Sequence, residues 1–261
     1  MGDIMLLHPE TVIGRQKEIK AILDYIKCGK NLHIYGSDGA GKSTLLDWVY
    51  NNISGFAPSL IPIYCRSSRT LRQILLSISG FLLGHFKHLE SIDKFKRIKE
   101  IKYPSGIKKL NIRTLRNIAF SYISQDNFCV ILDHLEYVTP KINAFLTVLY
   151  EKALVISASR QSWELTDYAF RGKLDYCLYL TPKLGVENLS RQDTFLLIKR
   201  LVGDTSKVSG NLFKDIYHMT KGNPGLMEKI ITKILKPEYH IGGNINLKLI
   251  MLDLEIEGKK Y

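Results

Sequence analysis

Residues 31–49 read "NLHIYGSDGAGKSTLLDWV": a short apolar run, a glycine-rich turn and a segment whose Leu45, Leu46, Val49 and, further on, Ile53 share one helical face. The turn, Gly36 to Ser43, fits Gly-x-x-x-x-Gly-Lys-Ser/Thr at every fixed position, between a strand and a helix, which is the context that gives this pattern meaning. Glycines let consecutive backbone N–H groups wrap a phosphate, and the N-terminus of the next helix adds a favourable field. Lys42 would then reach the β- and γ-phosphates and the Ser43 hydroxyl a magnesium ion. The expected cradle is Gly36, Ser37, Asp38, Gly39, Ala40, Gly41, Lys42, Ser43 and Thr44.

Working outward, Ile19, Ile22, Leu23 and Ile26 recur at helical spacing ahead of this unit, stopped by Gly29. Beyond it, "LIPIY" (60–64), "FCVIL" (128–132), "LVISA" (154–158) and "YCLYL" (176–180) have strand length and strand composition, with helical patterns between several of them. That alternation predicts an α/β P-loop NTPase core with a five-stranded, mainly parallel sheet. From about Ser190 the pattern is helical only, with Ser190 as a capping residue, Gly222 as a stop and Pro224 near a first-turn position. In the last segment Leu247, Ile250, Met251 and Leu254 suit a helix, although the odd positions 245–251 would also suit a strand; helix is preferred. The expected division is a core at 1–185 and a small, all-helical lid at 186–261.

A nucleotide site of this kind needs an acid at the end of another strand, because magnesium takes hard oxygen ligands. In "VILDHLE" (130–136), Asp133 follows a run hydrophobic enough to be buried on both faces, at the carboxyl end where open α/β sheets bind ligands. Ser43 and Asp133 are thus the expected metal ligands.

Bulk properties exclude several classes. Hydrophobic and charged fractions of 45% and 24% are those of a globular protein. The longest nearly apolar run, residues 74–84, is far short of the roughly 20 residues a membrane span needs, so a cytoplasmic chain without a membrane role is expected. Cys28, Cys65, Cys129 and Cys177 have no metal-ligand spacing and read as buried thiols, with no structural metal.

The net charge is +12, and residues 85–116 hold ten Lys or Arg against three Asp or Glu. Within this basic insertion Lys94, Lys96, Arg97, Lys99, Lys102, Lys108, Lys109, Arg113 and Arg116 could neutralise nucleic-acid phosphates, with Phe95 and Tyr103 interleaved; the alternative is a solvated helix face.

The set of motifs resembles the AAA+/STAND group of P-loop ATPases, and within it the archaeal origin-recognition initiators and NB-ARC switches. It is carried by "VIGRQKEI" (12–19), "GSDGAGKS", "VILDHLE", "VISASR" (155–160) and "KGNPGL" (221–226), across roughly residues 10–236. The resemblance implies ATP/ADP and Mg2+ as cofactors, Gly14 and Arg15 beside the base, Pro224 against adenine from the lid, and Arg160 as a γ-phosphate sensor. It also implies Arg171 as a finger toward a neighbouring subunit in an ATP-dependent homo-oligomer, and initiator-type DNA contact through the basic insertion. Bland readings stand beside these: Gly14 capping a loop, Arg160 pairing at the surface, Gly222 to Pro224 as an inter-helix turn, and Arg171 as a surface arginine.

One departure bears on catalysis. Where the resemblance leads one to expect a second carboxylate directly after Asp133, this chain has His134, and the nearest carboxylate is Glu136. Either residue could orient the attacking water, with Lys42, Asp133 and Arg160 completing the catalytic set, or hydrolysis could be slow and the chain a binding-driven switch. The expectation is a slow ATPase acting on or with DNA, in replication initiation, helicase loading or transposition; the alternative is a regulatory STAND switch with a protein partner.

Overall fold

The computed structural model describes residues 12–86, 104–162, 176–203, 210–241 and 244–259. Helix α1 (Gln16–Lys27) buries Ile19, Ile22 and Ile26 and leads into strand β1 (Leu32–Tyr35). After the glycine turn come α2 (Lys42–Phe56), β2 (Ile61–Cys65) and α3 (Leu71–His85), the last opened by a Thr70–Gln73 capping box that satisfies two otherwise orphaned N–H groups. A 3-10 turn (Pro104–Lys109) and α4 (Ile112–Tyr122) precede β3 (Phe128–Leu132). Then follow α5 (Pro140–Lys152), with Thr139 as cap and Pro140 in its first turn, and β4 (Leu154–Ser159).

The fifth strand differs from expectation. "YCLYL" is not a strand: Tyr176–Tyr179 form a short helical turn, α6, which places Leu178 in the core, and the strand β5 is Lys183–Gly185. It lies at the sheet edge, its pairing with β1 announced by the His33 N–H donating to Pro182 O at 2.9 Å. Only part of an edge strand is buried, so its residues lack the continuous apolar run of a central strand.

The sheet is parallel throughout, in the order β2-β3-β4-β1-β5. Strand alternation splits the core in two: Phe128, Val130 and Leu132 of β3 face the cluster built with α3, α4 and α5, while Cys129 and Ile131 face the cluster built with α1 and α2. Each such side chain contributes about 1.5–3 kcal/mol by burial. Cys65 and Cys129 are fully buried, and burial pushes both thiols up to about 12, so they are inert; Cys28 is exposed.

A third apolar cluster, Ile198 to Ile250, belongs to α7 (Arg191–Val202), α8 (Gly210–Thr220), α9 (Pro224–Ile234) and α10 (Leu247–Lys259). Ser190 caps α7, as its position suggested, and Pro224 sits in the first turn of α9 behind an Asn223 cap. Among its described residues this part is helical except for an antiparallel pair of two-residue strands, β6 (His240–Ile241) and β7 (Asn244–Ile245), a small addition to the all-helical expectation. Among the described residues no helix is long and apolar enough to cross a membrane.

Candidate functional site

Because the chain leaves β1 for a strand three positions away, the loop after β1 opens into the crevice at the carboxyl end of the sheet. There Gly39 and Gly41 take φ of 75° and 96°, left-handed values that cost an L side chain about 1–2 kcal/mol. These turn the chain into α2. The Lys42 ammonium folds back over the loop, donating to Gly36 O at 2.7 Å and Ser37 O at 2.9 Å. Burial lowers the pKa of Lys42; nearby carboxylates oppose this, Glu136 most strongly, then Asp38 and Asp133.

Asp133 is buried at the end of β3. Its Oδ1 accepts the His134 N–H at 2.8 Å, and its Oδ2 accepts the Tyr64 hydroxyl at 3.4 Å. Burial, with Asp133 beside it, raises the pKa of Tyr64 and keeps that hydroxyl protonated. His134 has φ 55°, a left-handed value outside glycine. It is the half-exposed residue of the stretch, whereas Leu135 and Glu136 are both buried, so the kink breaks the in-out alternation and turns Glu136 inward. Glu136 Oε2 accepts the Arg160 backbone N–H at 3.0 Å and pairs with Arg160 Nε at 3.1 Å. His134 Nε2 stands 3.7 Å from Asp133 Oδ2 and its Nδ1 4.0 Å from Glu136 Oε1.

The remaining expected site residues fall in three groups. Arg15 is buried and serves the loop backbone: it donates to Ala40 O and Glu187 O, each at 2.7 Å, and pairs with Glu18 at 2.9 Å. Gly14 has φ 69°, and a Cβ there would fall 2.6 Å from the Asp193 side chain at the start of α7. Pro224 opens the helix whose next residue, Gly225, donates its N–H to Gly39 O at 2.9 Å, and Asn223 Nδ2 donates to Asp38 O at 2.8 Å.

Of the basic set, Lys108, Lys109, Arg113 and Arg116 are exposed on the 3-10 turn and α4, which Arg72 ties to α3 through Lys108 O and Leu110 O. Lys94, Lys96, Arg97, Lys99, Lys102 and Arg171 lie outside the described residues, as do Phe95 and Tyr103.

Similar architectures are known among solved structures. The Walker-type ATPase PABY2304 of Pyrococcus abyssi is 18% identical over 97% of this chain and 77% of its own, with a TM-score of 0.60. The ORC2 protein of Aeropyrum pernix, solved as ADPNP-ADP complexes, is 16% identical over 94% and 68%, with a TM-score of 0.57. The replication initiator DnaA bound to AMPPCP and single-stranded DNA is 17% identical over 96% and 67%, with a TM-score of 0.52. The chain has an α/β P-loop NTPase fold similar to that of these proteins. No family model matches it, and no curated protein does. At such identities the likeness is one of fold.

Sequence reasoning missed three residues that this fold brings to the site: Tyr64 beside Asp133, and Asn223 and Gly225 at the loop. Tyr64 carried no signal beyond membership of an apolar strand. Asn223 was legible as part of a turn, but its reach across 185 residues to Asp38 was not.

Proposed function

We propose that the chain is an ATP-binding, slowly hydrolysing molecular switch of AAA+/STAND type that acts on or with DNA, with a core at 1–185 and a lid at 186–261. The observation that carries this reading is the convergence of a buried loop lysine with two buried carboxylates, Glu136 and Asp133, at the carboxyl ends of β1 and β3. Phosphoryl transfer needs mainly positioned positive charge and an oriented water, and burial strengthens the interactions between the charges of such a site. The hard-oxygen donors of Ser43 and Asp133 fit magnesium, which would neutralise phosphate charge there. Lys42 would exchange its loop carbonyls for phosphate oxygens.

Glu136, turned inward, is the general base of choice over the half-exposed His134. Its Oε2 is held twice by Arg160, so accepting a proton from water competes with that hold, which favours slow turnover. The exposed Lys108, Lys109, Arg113 and Arg116 support a sequence-neutral phosphate-contacting surface, and the DNA seen in a DnaA neighbour is consistent with it. An ATP-dependent homo-oligomer completes the proposal.

The test is an ATPase assay with and without DNA, beside sizing with and without ATP. Turnover well below about one per second, stimulated by DNA, is expected, together with a larger assembly in the presence of ATP. Failure to bind DNA at about 50 mM salt, with or without ATP, would remove the DNA role and leave a nucleotide-gated switch with a protein partner.

A further inference from the structure

Five consecutive carbonyls of the phosphate loop accept hydrogen bonds from side chains or from the lid. Lys42 takes those of Gly36 and Ser37, Asn223 Nδ2 that of Asp38, the Gly225 N–H that of Gly39 and Arg15 that of Ala40. In a trans peptide the C=O of one residue and the N–H of the next point to opposite sides. Holding the Asp38 and Gly39 carbonyls therefore fixes the directions of the Gly39 and Ala40 N–H groups, two donors of the expected phosphate cradle. Those N–H groups now make bonds of 3.1 Å to Asp38 Oδ1 and 3.2 Å to Ser37 O, at the long end of the normal range and readily exchanged for a phosphate oxygen.

Both holds on residues 38 and 39 come from the start of α9, and the fit is close. A Cβ on Gly225 would lie 2.8 Å from Gly39 Cα, and one on Gly39 would lie 2.5 Å from Asn223 Oδ1. Asn223 does two separable things: its Oδ1 caps α9 by accepting the Leu226 N–H at 2.9 Å, while its Nδ2 reaches Asp38.

We propose that Asn223 and Gly225 are positioning residues for the phosphate loop: the docked lid aims the loop's N–H donors, so nucleotide affinity depends on lid docking and nucleotide in turn strengthens that docking. Such coupling is reciprocal by thermodynamic necessity. This inference rests on the nucleotide reading above.

Asn223→Ser separates the roles, because serine caps a helix as well as asparagine but is too short to reach Asp38. Gly225→Ala keeps the chemistry and forces the lid off the loop. With the full chain, calorimetric titration with ADP, which shares the β-phosphate, should give about tenfold weaker binding for Asn223→Ser, in line with one lost hydrogen bond to the loop. The ligand-free variant should melt only slightly below the wild type, by the one lost bond to Asp38, because the cap on α9 is kept. Gly225→Ala should also bind more weakly.

Wild-type ADP affinity in Asn223→Ser would overturn the proposal. So would a ligand-free melting temperature as low as that of Asn223→Ala, which loses the cap as well, since it would reduce Asn223 to a helix cap. A wild-type chain that binds no ADP would overturn the nucleotide reading itself, and the latch with it.

Discussion

The phosphate loop, residues 36–43, and the turn after β3, residues 133–136, both depend on left-handed backbone, and they obtain it differently. In the loop the positive φ values fall on Gly39 and Gly41, where no side chain opposes them. After β3 the positive φ falls on His134, and the surroundings hold it there: Leu135 is fully buried and donates its N–H to Ala158 O at 2.8 Å, and Asp133 accepts the His134 N–H. The first shape is written into its own residues. The second is imposed by neighbours, and it makes Glu136 an inward-facing carboxylate.

The two regions are joined by a polar seam inside the sheet, where His33 of β1 bonds Ser157 and Ser159 of β4 at 3.0 Å each. Breaking that seam should produce the largest effect. Burial lowers the His33 pKa from 6.5 to about 3, so between these values the unfolded chain binds the extra proton. Stability should be flat above about pH 7 and fall as pH drops through that window, by on the order of 5 kcal/mol. Denaturant unfolding at pH 7, 5 and 4 measures the fall, and His33→Gln should flatten it.

Next in size is Glu136→Gln, expected to lower ATP turnover about a hundredfold or more while leaving ATP binding in place, against a change of less than about threefold for His134→Ala. Single-turnover kinetics on both variants separates an inward base from an exposed histidine; equal losses would place the chemistry elsewhere. Lys42→Ala should weaken ATP binding by ten- to a hundredfold, because charge-assisted bonds to phosphate are lost, and so remove the ATP-induced melting shift near the wild-type Kd. An unchanged shift would sink the loop assignment.

The smallest effect tests the backbone itself. His134→Gly relieves a left-handed side chain and should raise stability by roughly 0.5–1 kcal/mol, read as a higher urea midpoint.

The amino-acid sequence by itself determined the local units. The glycines and Lys42 specify the loop, the continuous apolar run of β3 specifies a strand buried on both faces, and Ser190 and Pro224 mark helix starts, because each signal arises between residues close along the chain. It misplaced the fifth strand for the same reason. "YCLYL" has strand composition, yet the edge of the sheet needed only the weakly apolar Lys183–Gly185, and Leu178 went into the core from a helical turn. Tertiary structure alone decided which carboxylate faces Lys42 and which lid atoms hold the loop. Those outcomes depend on Ala158 holding Leu135, on Arg160 holding Glu136 and on Asn223 meeting Asp38. Such long-range contacts become favourable only once the sheet and lid have packed, and no periodicity in the sequence records them.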